Sequence, residues 1–130
     1  MQLRGPKTSG DAVRAALRRV SEAQSENETK LEEGDFLIDP SAREVTVRGK
    51  LIHLTPKEFD LLVFLFQNRS KVVTHRSILA AIWGGEFTEQ TEYLRVFVGQ
   101  LRKKIESDPS KPLYIRTEPW VGYRFTAFAD

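Results

Sequence analysis

Short runs of apolar and β-branched residues broken by turn residues occupy 35–54 and 113–125, and between them apolar positions fall with helical spacing over 56–106. The first stretch predicts strands. Asp35-Phe36-Leu37-Ile38-Asp39 reads as one, ended by Pro40-Ser41. Glu44-Val45-Thr46-Val47-Arg48 is rich in β-branched residues and reads as a second. Gly49-Lys50 supplies a turn, and Leu51-Ile52-His53-Leu54 a third strand. Three short strands in so few residues imply an antiparallel meander.

The middle stretch predicts three helices. Thr55-Pro56-Lys57-Glu58 places a hydroxyl at the N-cap, proline at N1 and glutamate at N3. This is a capping box, and proline loses nothing at N1 because its missing N–H would have no helical partner there. Phe59, Leu61, Leu62, Val63, Phe64, Leu65 and Phe66 follow, apolar nearly all round, so this helix should be central and buried. Asn68-Arg69-Ser70-Lys71 ends it and Val72-Val73 is a brief extended pair. Thr74 caps a second helix, His75–Trp83, whose apolar face is Ile78, Leu79, Ile82 and Trp83. Gly84-Gly85 stops it, Glu86–Gln90 form a loop, and a third helix runs over Thr91–Glu106 until Asp108-Pro109. Leu113–Thr117 and Val121–Phe125 then read as a hairpin with Glu118-Pro119-Trp120 at its tip. Three helices followed by a hairpin is the winged helix-turn-helix order. The predicted fold class is α+β, with an N-terminal antiparallel meander, a three-helix core and a C-terminal β-hairpin wing over residues 34–128.

The chain before Gly34 differs. Residues 1–10 lack periodicity and read as disordered or as a remnant. Residues 11–20 read as a short helix with Val13, Ala16, Leu17 and Val20 on one face. Residues 21–33 are polar apart from Ala23 and Leu31 and read as a linker.

The third helix has two unlike faces. Leu94, Val98, Leu101 and Ile105 form one apolar stripe for the core. Glu92, Val96, Gly99, Gln100 and Lys103 point the other way, with Tyr93, Arg95, Phe97, Arg102 and Lys104 on the flanks. A merely solvated face would be mostly Lys, Glu and Gln. This mix suits the major groove, where Gln pairs with adenine, Arg with guanine and small apolar groups with the thymine methyl. Arg102, Lys103 and Lys104 would then serve phosphates, or else only complement the helix C-terminal dipole.

Composition narrows the classes. The chain has 130 residues, 40% hydrophobic and 29% charged, enough for one modest core. No apolar run reaches transmembrane length and no secretory apolar region opens the chain, so no membrane partner is expected. Cysteine is absent, which excludes disulfides and thiolate metal sites and suits a cytoplasmic protein. Net charge is +2; residues 1–34 are neutral, and the surplus lies beyond them, with fourteen basic and twelve acidic side chains. Two histidines, His53 and His75, without cysteine make no metal centre, and no phosphate-cradling glycine loop is present. No catalytic residue, metal or cofactor is expected, and the chain does not read as an enzyme.

Four segments carry a resemblance: L-T-P-K-E-F-D-L-L at 54–62, V-V-T-H-R-S-I-L-A-A-I-W at 72–83, Y-L-R-V-F-V-G-Q-L-R-K-K-I-E at 93–106 and V-G-Y-R-F at 121–125. In this order and spacing, residues 34–126 resemble the DNA-binding effector domain of OmpR/PhoB-type response regulators, and the third segment looks most like the KdpE-type members. The resemblance implies sequence-specific binding of double-stranded DNA by a two-component transcription regulator. The third helix would enter the major groove and the wing would reach the adjacent minor groove or backbone. It makes Tyr93, Val96, Phe97, Gly99 and Gln100 base-proximal candidates, and Arg95, Arg102, Lys103, Arg116 and Arg124 phosphate candidates. For Phe97 and Tyr93, packing against the wing or the second helix competes with base contact. The loop Gly84–Gln90 falls where the family touches RNA polymerase, so Gly85, Glu86, Phe87 and Glu89 are polymerase candidates, or a plain connector. Residues 11–20 resemble the last helix of a receiver domain. A whole receiver does not fit in 33 residues, so the chain is expected to be a shortened form or a regulator lacking its receiver, not phosphorylated by the usual route.

Two departures stand out. The family's wing turn usually has glycine with a basic neighbour, whereas Glu118-Pro119-Trp120 stands here. Trp120 either packs on a sugar, inserts apolar surface into the groove, or contacts a protein partner. Gly99 and Gln100 also replace positions that are often basic, which implies modest affinity per monomer and reliance on homodimers at repeated half-sites. The competing reading is a winged-helix protein-interaction module with little DNA binding, resting on Trp120, Phe87, Phe97 and the near-neutral charge. An apolar patch joining Trp120 to Phe97 would favour it.

Overall fold

A computed structural model describes residues 30–129. The expectations for residues 1–10, for the helix at 11–20 and for the linker up to residue 29 lie outside them. By compactness the chain divides into two units, one of residues 1–32 with 38–43 and the other of residues 33–37 with 44–130. In the first, Asp39 closes a turn by accepting from the Ala42 N–H at 3.3 Å.

Strands β1 (Leu31–Glu33), β2 (Phe36–Asp39), β3 (Glu44–Val47) and β4 (Lys50–Ile52) succeed one another in chain order across one sheet. This is one strand more than expected. Leu31–Glu33, assigned to the linker from its polarity, is strand, because an edge strand is held by backbone hydrogen bonds and needs few apolar side chains. Gly34 makes the bend at φ +57°, where a Cβ would lie 2.3 Å from the Ala127 carbonyl oxygen. The next hairpin turns one residue earlier than expected. Arg48 (φ 51°) and Gly49 (φ 77°) occupy its centre and Val47 pairs with Lys50. Two successive positive φ values mark the mirror-image turn that matches strand twist.

Helix α1 (Pro56–Gln67) starts at the predicted capping box, with the Glu58 N–H donating to Thr55 Oγ1 at 3.3 Å and the Thr55 N–H to Glu58 Oε1 at 2.9 Å. Such a cap contributes about 1 kcal/mol. Phe59, Leu61, Leu62, Leu65 and Phe66 are buried, while Val63 and Phe64 are half-exposed. Helix α2 (His75–Ile82) is capped by Thr74, and Lys57 Nζ donates to the Ile82 carbonyl at 2.9 Å at its far end. A single 3-10 turn, Gly85–Phe87, leads into α3 (Thr91–Ile105), whose stripe Leu94, Val98, Leu101 and Ile105 is fully buried as expected.

The second sheet is the wing with a third strand added. β5 (Val72–Thr74), read only as an extended pair, joins β6 (Ile115–Glu118) and β7 (Gly122–Phe125) in the order β5-β7-β6, all antiparallel. Gly122 is required here. A Cβ on it would sit 1.8 Å from the Val73 carbonyl oxygen, inside any tolerable contact. Phe36 meets Tyr114 and Phe125 edge-on at 4.8 and 5.1 Å between centroids and links the sheet cores. The Tyr114 hydroxyl donates to Asp35 Oδ2 at 2.6 Å and accepts from Arg48 Nη1 at 2.9 Å. Burial, then the Asp35 bond, raises its pKa.

Candidate nucleic-acid interface

The apolar stripe of α3 fixes which way every other side chain of that helix points. Opposite it lie Val96, 58% exposed, and Gln100 and Lys103, both exposed, with half-exposed Gly99 beside them. Gly99 faces open space. A Cβ there meets nothing within 4 Å, so the protein's own packing does not require glycine.

The two flanks of α3 have different jobs. On one, Trp83 meets Tyr93 and Phe97 edge-on at 5.4 and 5.1 Å. Phe97 is half-buried in this cluster, its ring packed at α2's end as the competing reading expected. Tyr93 keeps 52% of its surface and stays at the margin. On the other flank Thr91, Arg95 and Arg102 face the wing across a concavity of about 610 Å³, which His75, Thr117 and Trp120 also line. Thr91, His75 and Thr117 were not among the sequence candidates. The spacing of Thr91, Arg95 and Arg102 along one helix flank was the signal for the first.

The basic triplet separates into three roles. Arg102 Nε and Nη2 donate to the Ile115 carbonyl at 3.1 and 2.8 Å, and Nη2 also to Thr117 Oγ1 at 2.9 Å. Its guanidinium lies 5.7 Å from the Tyr123 ring centroid. Burial lowers its pKa against the opposing charges of Tyr123 and Glu106, and burial likewise raises that of Tyr123. Arg102 therefore braces the wing and only edges the concavity. Lys104 Nζ reaches buried Glu58 Oε1 at 2.6 Å. Burial would raise the Glu58 pKa, but the hydrogen bonds from Lys104 and Thr55 outweigh it and the net shift is downward. Lys103 stays exposed on the outward face.

Of the wing arginines, neither faces α3. Arg116 pairs directly with Arg124 across the ladder, whereas Thr117 pairs with Tyr123. Alternation puts the arginines on the opposite side of the hairpin from the concavity that Thr117 and Tyr123 line. Arg124 is further engaged, donating to Glu118 Oε2 at 3.1 Å and to the Ser70 carbonyl at 3.2 Å. Arg95, by contrast, lines the concavity with a loose partner, Glu92 at 3.5 Å on the solvent side.

A buried carboxylate joins the wing to α3. Glu106 caps the helix and accepts four bonds of 2.7–3.2 Å from the successive N–H groups of Leu113, Tyr114 and Ile115. Sequence reading missed this. An acid at a helix C-terminus opposes the dipole, and that anomaly was the available clue.

The model for "Transcriptional regulatory protein, C terminal" matches residues 49–125. The chain belongs to this family of OmpR/PhoB-type DNA-binding domains. It is similar to the transcriptional regulatory protein KdpE of Mycobacterium tuberculosis, 40% identical over 115 residues, covering 88% of this chain and 51% of that protein. Among solved structures it resembles the response regulator DrrB, a Thermotoga maritima OmpR/PhoB homologue (35% identity, TM-score 0.69, 84% of this chain and 51% of that one). It also resembles the Klebsiella pneumoniae RstA DNA-binding domain in complex with the RstA box (26% identity, TM-score 0.70, 75% and 97%). The chain thus spans about half the length of KdpE. The family is one of transcription regulators, not of enzymes, and its function is DNA-binding transcription regulation of the two-component type. No helix among the described residues is long and apolar enough to cross a membrane.

Trp120 and Phe97, whose union in one apolar patch would favour a protein-interaction module, lie on different flanks of α3: Trp120 borders the concavity on the wing flank, and Phe97 packs on the other. The loop after α2 leaves Phe87 40% exposed beside exposed Gly85 and Glu86, while Glu89 pairs with Arg76 at 3.2 Å.

Proposed function

We propose that this domain docks α3 in the major groove of double-stranded DNA, with the wing over the adjacent minor groove or backbone. The observation that carries the reading is the outward face of α3. Val96, Gly99 and Gln100 form a shallow strip able to meet base edges, and Lys103 and Arg95 stand on its margins for phosphates. Arg102 holds the wing in place and adds charge to the same concavity. Arg116 and Arg124, on the wing's other side, are reserve phosphate contacts at most.

One such strip offers few bidentate pairs, so two copies on repeated half-sites supply the specificity. The exposed Phe87 and Glu86, with Gly85 and the more engaged Glu89, form the surface offered to RNA polymerase. The setting is cytoplasmic, where both DNA and polymerase are met.

The test selects bound duplexes from a random pool and measures affinity against salt by fluorescence anisotropy. A repeated half-site and a steep negative slope of log K against log salt are expected. Lys103→Ala should reduce that slope by about 1 without relaxing sequence preference. A slope near zero for the unaltered chain refutes the proposal.

A further inference from the structure

We propose that Trp120 is an apolar wedge that the wing presses into the minor groove beside the site read by α3. This rests on the DNA-binding reading above and adds a contact of a different kind. Three observations carry it.

First, Trp120 is 99% exposed, so nothing within the described residues shelters its indole. Second, it sits at φ 69°, in the left-handed region that favours glycine. The Val121 N–H donates to the Glu118 carbonyl at 3.0 Å, and Pro119 stands at the first central position. That is a type II turn with tryptophan where glycine is the strain-free choice. Folding gains nothing from an exposed ring in a strained position, and such strain is a mark of binding elements. Third, Trp120 stands at the edge of the concavity formed with Thr91, Arg95 and Arg102. A phosphate strand lying against Arg95 there would run between α3 and the wing, and the groove beyond that strand is the minor groove.

The charge at the tip agrees. The Glu118 carboxylate is drawn toward Arg124, on the wing's outer side, and so does not confront the phosphates. With no cation at the tip itself, the contact available is apolar: a ring packed on sugars or partly inserted at a base step. Wedges of this chemistry favour flexible pyrimidine–purine steps.

The experiment uses the full 130-residue chain and the duplex recovered from the random pool. The chain holds two tryptophans, so Trp83→Phe leaves Trp120 as sole reporter while keeping a ring against Tyr93. Acrylamide should quench Trp120 freely in the unbound chain and poorly on DNA. Trp120→Ala and Trp120→Gly should lose roughly tenfold to a hundredfold in affinity, with the salt slope unchanged because no counterion is released. Trp120→Gly should also melt at a higher temperature than the unaltered chain, which separates lost binding from lost folding. Affinities within about twofold of the unaltered chain, or a Trp120 equally quenchable on DNA, overturn the proposal. If the unaltered chain shows no salt-dependent binding in the same titration, the DNA-binding reading falls and the wedge with it.

Discussion

Replacing Gly99 by alanine should make the free domain more stable and its DNA complex weaker. Gly99 is in the interior of α3 at a negative φ, and a Cβ there meets no atom within 4 Å. The substitution therefore gains the helix propensity difference between alanine and glycine, about 0.8–1.0 kcal/mol, with no steric penalty. For a domain of this size that raises the melting temperature by roughly 4–8 °C. On DNA the sign reverses. Gly99 lies between Val96 and Gln100 on the outward face, where the helix backbone would come nearest the base edges. A methyl group there holds the helix off, and losing even one good base pairing costs about 1–3 kcal/mol, roughly five- to 150-fold in affinity. Thermal unfolding followed by circular dichroism and anisotropy titration on the selected duplex measure the two effects separately. A fall in melting temperature refutes the open-space argument. A rise with unchanged affinity refutes the placement of Gly99 at the DNA surface.

Other substitutions probe the frame behind that face. Glu106→Gln leaves one oxygen where two served three amide donors, and removes the charge; chemical denaturation should show a loss of about 2–4 kcal/mol, with a locally loosened wing by hydrogen exchange at Tyr114 and Ile115. Gly122→Ala drives a methyl into the Val73 carbonyl and should cost at least about 2 kcal/mol, read as a lower denaturation midpoint. Glu58 has a pKa below its ordinary 4.5 in the folded state. Its contribution is therefore present above the unfolded value and is lost as pH falls through the folded one. Acid titration of stability should be steeper below about pH 4.5 for the unaltered chain than for Glu58→Gln, and equal slopes would refute the assignment.

The residues that spoke most clearly in the sequence are those whose role is local. The Thr55 capping box, the α3 stripe and the β-branched strand at Glu44–Val47 each depend on neighbours within a few positions, and each formed as predicted. What stayed hidden depends on partners far along the chain. Arg102 looked like a phosphate ligand because nothing nearby in sequence says that the Ile115 carbonyl and Thr117 will arrive beside it. Lys104 and Glu58 stand 46 residues apart yet share one bond. Arg116 and Arg124 read as wing cations from sequence, and only the pairing register shows that both stand on the hairpin's side away from the concavity. Phe97 was ambiguous for a different reason. An aromatic residue on a helix flank suits a groove and a neighbouring ring equally well, and the sequence does not show that Trp83 will stand beside it.

The carboxylate of Glu106 and the guanidinium of Arg102 clamp both sides of the Leu113–Thr117 segment to the end of α3. Helix and wing are consequently the two jaws of a fixed caliper. A binding site for such a tool can change its letters one at a time and lose affinity by degrees. On the docking proposed above, it would keep the distance between the base pairs under α3 and those under the wing, because these bonds hold the two elements together. Inserting a single base pair between them would shift one jaw off its target entirely, whatever sequence is supplied there.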